Sequence, residues 1–469
     1  MARLAVSSFV MKLPLPLLIL VLALSGCNRP VGQAKPFPAD FAWGAGNAAL
    51  DGVEIGVEEV GMLAAVGLTH YRFGISWERL IPDATGRPDP VAVAAYNQTL
   101  DALLEAGIKP VVVLYERGLP NYLEERGGWG SPDSPEWFSE YAEQAFGAFG
   151  DRVAIWVTMA DPFTDRLLAY ALPPGEPEAQ SEALSRAPPF VQARRRARQI
   201  NPRQSNAASL RIRALETHHM LMGHAAAVEA YEALGQDGSI GIAIGYSPVH
   251  PVGQGDANAS YAELEDGIQN RWFLEALING SYPADVLSAL NPAGLDPARV
   301  GRIAASPGDF LGIEYFAPTR VEGDSLSEHL GYRLIPNLDG DKSAFGEADA
   351  AGMYDTLTRI ATDYPTLPIM VLANGAAYGP IDEHNENGRI RDELRVRFLR
   401  RHLVQAQKAA AEGANLRGYI VWSAFDPPAP ATAAGLFHRD PESGAFLFKD
   451  SARYMRSIVA ANAVSRMPF

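Results

Sequence analysis

The chain holds a single cysteine, Cys27, so no disulfide can form within it. It has no basic excess. Lys plus Arg number 40 against 55 Asp plus Glu, a net charge of −15, which argues against a surface dedicated to nucleic acid or anionic lipid. No unit repeats at solenoid period, and no Gly/Ser-rich linker divides the chain. His-Glu-x-x-His and EF-hand spacings are missing, so neither zinc nor calcium has a recognisable ligand set and no cofactor is implied. His218, His219 and His224 therefore read as packing or surface residues. What the chain does have is 47% hydrophobic and 9% aromatic residues, enough for a large core.

The one apolar run at the N-terminus, Leu13 to Leu24, is about 12 residues long, too short for a spanning helix and suited to a signal peptide. Met11-Lys12 precedes it and Leu24-Ser25-Gly26-Cys27 closes it. That ending resembles the bacterial lipobox, in which the cysteine is lipidated. The expectation is a signal peptide over 1–27, a polar tether over 28–36, and an exported, membrane-anchored lipoprotein facing the periplasm or cell surface.

From Phe37 onward, strand and helix signals alternate. Short apolar or β-branched runs occur at Phe41–Ala45, Thr69–Ile75, Pro110–Tyr115, Ala154–Met159, Ser239–Ile244, Asp309–Tyr315, Ile369–Leu372 and Gly418–Trp422. Helical patterns lie between them at Glu58–Val66, Val91–Ala106, Pro135–Phe149, Ser209–Ala233, Tyr261–Ile278, Gly352–Asp363 and Ile390–Ala411, several ending at Gly. Eight such alternations predict one α/β domain over 37–469, a (β/α)8 TIM barrel. The segment 172–208 is Pro-rich and then basic, with arginines at 194, 195, 196, 198 and 203. It reads as a solvated loop and charged helix face, or as a patch touching an anionic glycan or lipid headgroups.

Several stretches carry a family signature. They include Phe37-Pro38-Ala39-Asp40-Phe41-Ala42-Trp43-Gly44, Tyr71-Arg72-Phe73-Gly74-Ile75-Ser76-Trp77, Leu114-Tyr115-Glu116-Arg117-Gly118-Leu119-Pro120 and Asn270-Arg271-Trp272-Phe273. Further on come Leu311-Gly312-Ile313-Glu314-Tyr315, Ala373-Asn374-Gly375, Val421-Trp422-Ser423 and Lys449-Asp450-Ser451-Ala452. Together they resemble family 1 of the glycoside hydrolases, the β-glucosidases, across roughly residues 37–463.

The resemblance implies a site in which two glutamates work as nucleophile and acid/base, about 5–5.5 Å apart. Here the nucleophile position is Ala373, and a methyl group cannot attack an anomeric carbon. The acid/base position is Asp161, shorter by one methylene, and the Asn before it, which grips the 2-hydroxyl, is Ala160. Asp51 stands for a sugar-gripping Gln, Glu116 and Arg117 for His and Trp, and Glu314 for Asn. The outer-hydroxyl motif is Asp426-Pro427-Pro428-Ala429-Pro430. Arg72 and Tyr315 keep the positions that orient and hydrogen-bond the nucleophile, and Trp422 the position that offers a flat face to the ring. Glu386, in Asn385-Glu386-Asn387-Gly388, follows no strand and reads as a turn residue rather than a displaced nucleophile.

A buried guanidinium needs a counter-charge, so some carboxylate must serve Arg72 in place of the lost glutamate. Glu314, Glu116, Asp161 and Asp51 are the candidates. The expected function is a glycosidase-like envelope lipoprotein without the retaining mechanism, binding a carbohydrate or an envelope protein. The alternative is an active glycosidase or transglycosidase with a rearranged site, Asp161 working with Glu116 or Glu314.

Overall fold

The structure is a computed structural model. It describes residues 35–47, 55–162, 207–253, 255–292, 294–324, 330–335, 342–343, 345–378, 384–386, 389–426, 433–440 and 443–464. Eight parallel strands form a closed barrel: β1 (Ala42–Gly46), β2 (His70–Gly74), β3 (Lys109–Tyr115), β4 (Ile155–Ala160), β5 (Ser239–Gly245), β6 (Phe310–Glu314), β7 (Ile369–Asn374) and β8 (Leu416–Trp422). Each pairs with its neighbours in sequence, and β8 pairs with β1 to close the ring. Strands covered on both faces read as continuous apolar runs rather than alternating ones. That is why the eight runs were visible in the sequence: every residue of β7 is buried, and so are all but the first of β3.

The helices form the outer layer: α1 (Val57–Val66), α2 (Pro90–Glu105), α3 (Ser134–Phe149), α4 (Ala207–Ala233), α5 (Asp256–Asp266), α6 (Ala350–Asp363), α7 (Glu393–Ala411) and α8 (Asp450–Ala461). After α5 the chain runs through one π turn, Gly267–Arg271, into Trp272–Asn279. α3 shows how such a helix docks. Trp137, Phe138, Tyr141, Ala142, Ala145, Phe146 and Phe149 recur at helical spacing and are all buried.

Three elements differ from expectation. α7 starts at Glu393 rather than at Ile390, because Arg389–Arg391 pairs antiparallel with His384–Glu386. Glu386 thus ends a hairpin strand. The amphipathic α8 completes the eighth βα unit, and a small sheet of Val249–Pro251, Thr319–Gly323 and Tyr332–Leu334 lies outside the barrel.

The barrel interior is filled by Ala42, Val111, Val113, Val157, Ala243, Phe310, Met370, Leu372 and Ile420. The two ends of the folded chain meet at Asn462. Its amide donates to the carbonyls of Phe37 and Pro38 at 2.9 Å each, its Oδ1 accepts from Trp43 Nε1 at 2.9 Å, and Phe37 N donates to its carbonyl at 2.9 Å. No helix among the described residues is long and apolar enough to cross a membrane.

Candidate active site

Strand register sets the site. At the C-terminal rim of the barrel, Gly245 pairs with Glu314, Glu314 with Ala373, Asn374 with Val421, Trp422 with Gly46, and Gly46 with Arg72. Neighbouring strand ends therefore deliver the carboxylate, the alanine, the indole and the guanidinium in sequence around the rim. Alternation along each strand decides which of them face inward. Arg72 shares the phase of His70. Glu314 shares that of the interior Phe310, and Trp422 that of Ile420.

Arg72 is the centre. Its Nη2 donates to Glu314 Oε1 at 2.6 Å and to Glu116 Oε1 at 3.0 Å. Nη1 donates to the carbonyl of Leu372, one residue before Ala373, at 3.0 Å. Its Cζ lies 4.9 Å from the centroid of the Trp422 ring. Arg72 is 1% exposed and Glu116 and Glu314 are 5% exposed, so both ion pairs are shielded from solvent. The counter-charge that Arg72 requires thus comes from β6 and from the residue after β3.

Two carboxylates serve one guanidinium, and the surplus charge has a cost. Burial pushes Glu314 up to about 7, against the pull of Arg72, and the charges of Asp161 and Glu116 push it further in the same direction. Both Oε1 atoms sit on one nitrogen, so they are no farther apart than its two bonds end to end. That is short of the about 6.5–9.5 Å an inverting hydrolase leaves for its water.

Asp161 follows β4 in left-handed backbone, φ 49°, a conformation few residues other than Gly adopt without strain. Its N–H donates to the Ala243 carbonyl at 2.9 Å, and its Oδ1 accepts from Gly245 N at 3.2 Å. A Cβ on Gly245 would collide with this carboxylate, so the glycine makes room for it. The Asp161 carboxylate is held against the end of β5.

The surroundings of Ala373 are apolar. Ala373 is 1% exposed and packs in one cluster with Phe316, Phe345, Ala377, Trp422 and Ala434. The retained Asn374-Gly375 has a scaffolding role. Asn374 Nδ2 donates to the carbonyl of Tyr315, the residue after β6, at 2.6 Å, and its Oδ1 accepts from the Tyr419 hydroxyl on β8. A Cβ at Gly375 would run into the Trp422 carbonyl.

Tyr315 requires correction as a substrate-binding residue. Its hydroxyl donates to the Asp349 carbonyl at 2.7 Å, and its ring centroid lies 6.1 Å from that of His402 on α7. Glu314 faces inward, so the next residue faces the helices, and the following one, Phe316, turns in to meet Ala373. Strand alternation could have found Phe316 from the sequence. Trp422, at 4% exposure, packs its ring among Phe316 and Ala373 with Arg72 over it. Arg117 is half-buried beside Glu116. Asp51, Cys27, residues 191–203 and 427–430 lie outside the described residues.

Asp426, first residue of the outer-hydroxyl motif, is fully occupied elsewhere. Lys449 Nζ lies 2.5 Å from its Oδ2 and Gly435 N donates to its Oδ1 at 2.7 Å. The histidines are packed inside. His224 bonds Thr158 at 2.8 Å and the Pro307 carbonyl at 3.1 Å, His218 bonds Tyr282 at 2.9 Å, and His219 bonds the Trp129 carbonyl at 2.8 Å. Burial lowers His218 and His224 to about 4. Among the described residues no group of three His, Cys, Asp or Glu is arranged to hold a metal ion.

A (β/α)8 barrel whose polar residues gather at the C-terminal ends of its strands has the layout of a barrel enzyme with its site at the top face. The sequence pattern of glycosyl hydrolase family 1 matches residues 41–464, and the chain belongs to that family. Beta-glucosidase A of Enterobacter agglomerans is 32% identical over 379 residues, 79% of this chain and 75% of its own. Beta-glucosidase A of Acetivibrio thermocellus is 29% identical over 399 residues, 83% of this chain and 82% of its own. The solved family 1 β-glucosidase of Thermotoga maritima superposes with a TM-score of 0.77 at 25% identity, covering 92% of this chain and all of that one.

Proposed function

We propose that this protein is a carbohydrate-binding member of the family that has left the retaining β-glucosidase reaction. One observation carries the reading: a methyl group, packed among aromatic rings, stands where the covalent intermediate would form. The flanking groups agree with it. Arg72 is committed to Glu116 and Glu314, and Asp161 is turned onto the backbone of β5. The relatives named as β-glucosidases make a glycan the natural class of ligand.

The test has two arms. With 4-nitrophenyl β-glucoside, release of nitrophenol should stay at the uncatalysed rate, and a 2-fluoro-glucoside should leave no mass increment on the protein. A stoichiometric adduct would sink the proposal. In the second arm, a glycan selected from a broad array should bind the wild type, and Trp422→Ala should weaken that binding by about tenfold or more, as loss of a stacked ring implies. An array with no binder would count against a sugar ligand.

A second reading rests on Glu314. A buried carboxyl titrating near neutrality beside Asp161 and Glu116 has the charge pattern of an acid/base residue. It requires a natural polysaccharide whose cleavage Glu314→Gln abolishes.

We further propose that the signal over 1–27 is cleaved before its last residue, and that Cys27, lipidated, holds the barrel, residues 37–469, at a bacterial envelope membrane, on the motif Leu24-Ser25-Gly26-Cys27. A protein partner there would be the alternative to a glycan. Labelled palmitate should enter the wild-type protein and not Cys27→Ser; equal labelling of both would refute the anchor.

A further inference from the structure

A second cavity lies away from the carboxylate site and shares no residue with it. It has a volume of about 280 Å³. Its walls come from α3, from the turn Trp77–Leu80 with the loop to Gly86, and from the turn Asn121–Glu124 with Arg126. The base is aromatic. Trp77 stacks on Tyr141 with centroids 4.6 Å apart and planes 9° apart, and Trp137 lies alongside, 9% exposed. The rim is polar: Arg126, Glu140, Glu143 and Gln144 are exposed, and Tyr122 is half-buried.

The rim groups are open to a ligand. Arg126 lies over the Trp137 ring, 4.3 Å from its centroid, and makes no salt bridge among the described residues. Glu140, Glu143 and Gln144 make no side-chain hydrogen bond there either. Glu140 and Gln144 are one helical turn apart, as are Glu140 and Glu143, so all three project to one side of α3.

We propose that this cavity is a second carbohydrate site, taking one neutral pyranose unit of an oligosaccharide. Two carboxylates disfavour an anion, and their mixture with the Arg126 guanidinium offers acceptors and donors side by side, as hydroxyl groups require. Five polar side chains around the mouth would be stripped of water by a purely apolar ligand without recompense. A pyranose satisfies both halves of the cavity. Its C–H face covers the aromatic base, and its rim of hydroxyls donates to Glu140 and Glu143 and accepts from Arg126, Gln144 and the Tyr122 hydroxyl. The volume is near the lower limit of small-molecule pockets, about 300 Å³, which suits one ring rather than several. The proposal shares with the function above only the premise that the ligand is a sugar.

The test uses full-length protein labelled with 5-fluorotryptophan and titrated with cellotetraose, followed by fluorine NMR. Trp77→Phe, Trp137→Phe and Trp422→Phe assign the three signals. The expected result is a shift of the Trp77 and Trp137 signals at millimolar sugar. Arg126→Ala and Gln144→Ala should each weaken this event by about fivefold, the loss of one hydrogen bond. Both side chains are exposed, so the thermal midpoint should not move. A shift confined to Trp422 overturns the second site and leaves the barrel site standing. No shift at about 20 mM, beyond the weak-affinity range, overturns both. Unchanged affinity in the Arg126 and Gln144 variants also overturns the assignment.

Discussion

Arg72→Met should cost about 3–5 kcal/mol of folding stability, the loss expected when one partner of a buried ion pair is removed and the other charges stay behind. A domain has about 5–15 kcal/mol in all, so this variant should be close to unfolding at neutral pH. Two buried carboxylates, Glu116 and Glu314, would lose the guanidinium that bridges them while the charge of Asp161 still acts on Glu314. The deficit should depend on pH, with a defined sign. Glu314 binds its proton more tightly in the folded protein, at about 7, than at its ordinary 4.5. Its stabilising contribution is complete below about 4.5 and lost as pH rises through about 7. The Arg72→Met deficit should therefore be smaller at pH 5 than at pH 8, and Glu314→Gln should flatten the wild-type decline between those values. Urea midpoints across that range measure both. A deficit under about 1 kcal/mol, or one indifferent to pH, would show that the triad is not the electrostatic centre described here.

Placing an acid at Ala373 should fail for a related reason. Ala373→Glu forces a larger side chain into the cluster of Phe316, Phe345 and Trp422 and adds a third carboxylate around one guanidinium. Overpacking and an unpaired buried charge together should cost about 3 kcal/mol or more. In a Glu314→Asn background the charge half of that cost should fall by about 2 kcal/mol, within the range of couplings measured for contacting residues. A double-mutant cycle in urea isolates this coupling. Additive costs would mean that the charge at Glu314 does not stand in for the charge missing at Ala373. Aryl-glucoside turnover should remain absent even in the double variant, because Asp161 stays on Gly245 and Ala160 offers no amide to the sugar.

The barrel was legible because its strands are buried on both faces and so announce themselves as short apolar runs. The small outer sheet was not, since Val249–Pro251 and Tyr332–Leu334 are three residues each and owe their strand form to pairing across long separations. The need for a counter-charge at Arg72 could be argued from burial and charge alone. Which of four carboxylates would answer it depended on rim register and side-chain reach, which no single strand encodes. Tyr315 is a simpler case: residue type alone points it at the substrate, but the in-out phase set by Glu314 turns it toward the helices. Asn374-Gly375 looked like the remains of a catalytic signature, yet its side chain and its missing Cβ lock β6, β7 and β8 together. Part of that motif is mortar.

The clasp at Asn462 gives the molecule a ring topology with a seam. Strand order around the barrel is the order of the sequence, and the last described helix bonds back to the residues that precede the first strand. The β8–β1 joint is a parallel ladder like the other seven. The polypeptide could be spliced at that seam and reopened in another helix-to-strand connection with every ladder intact. The joint between Phe37 and Asn462 lies at the end of the barrel opposite the rim where Arg72, Glu116 and Glu314 meet.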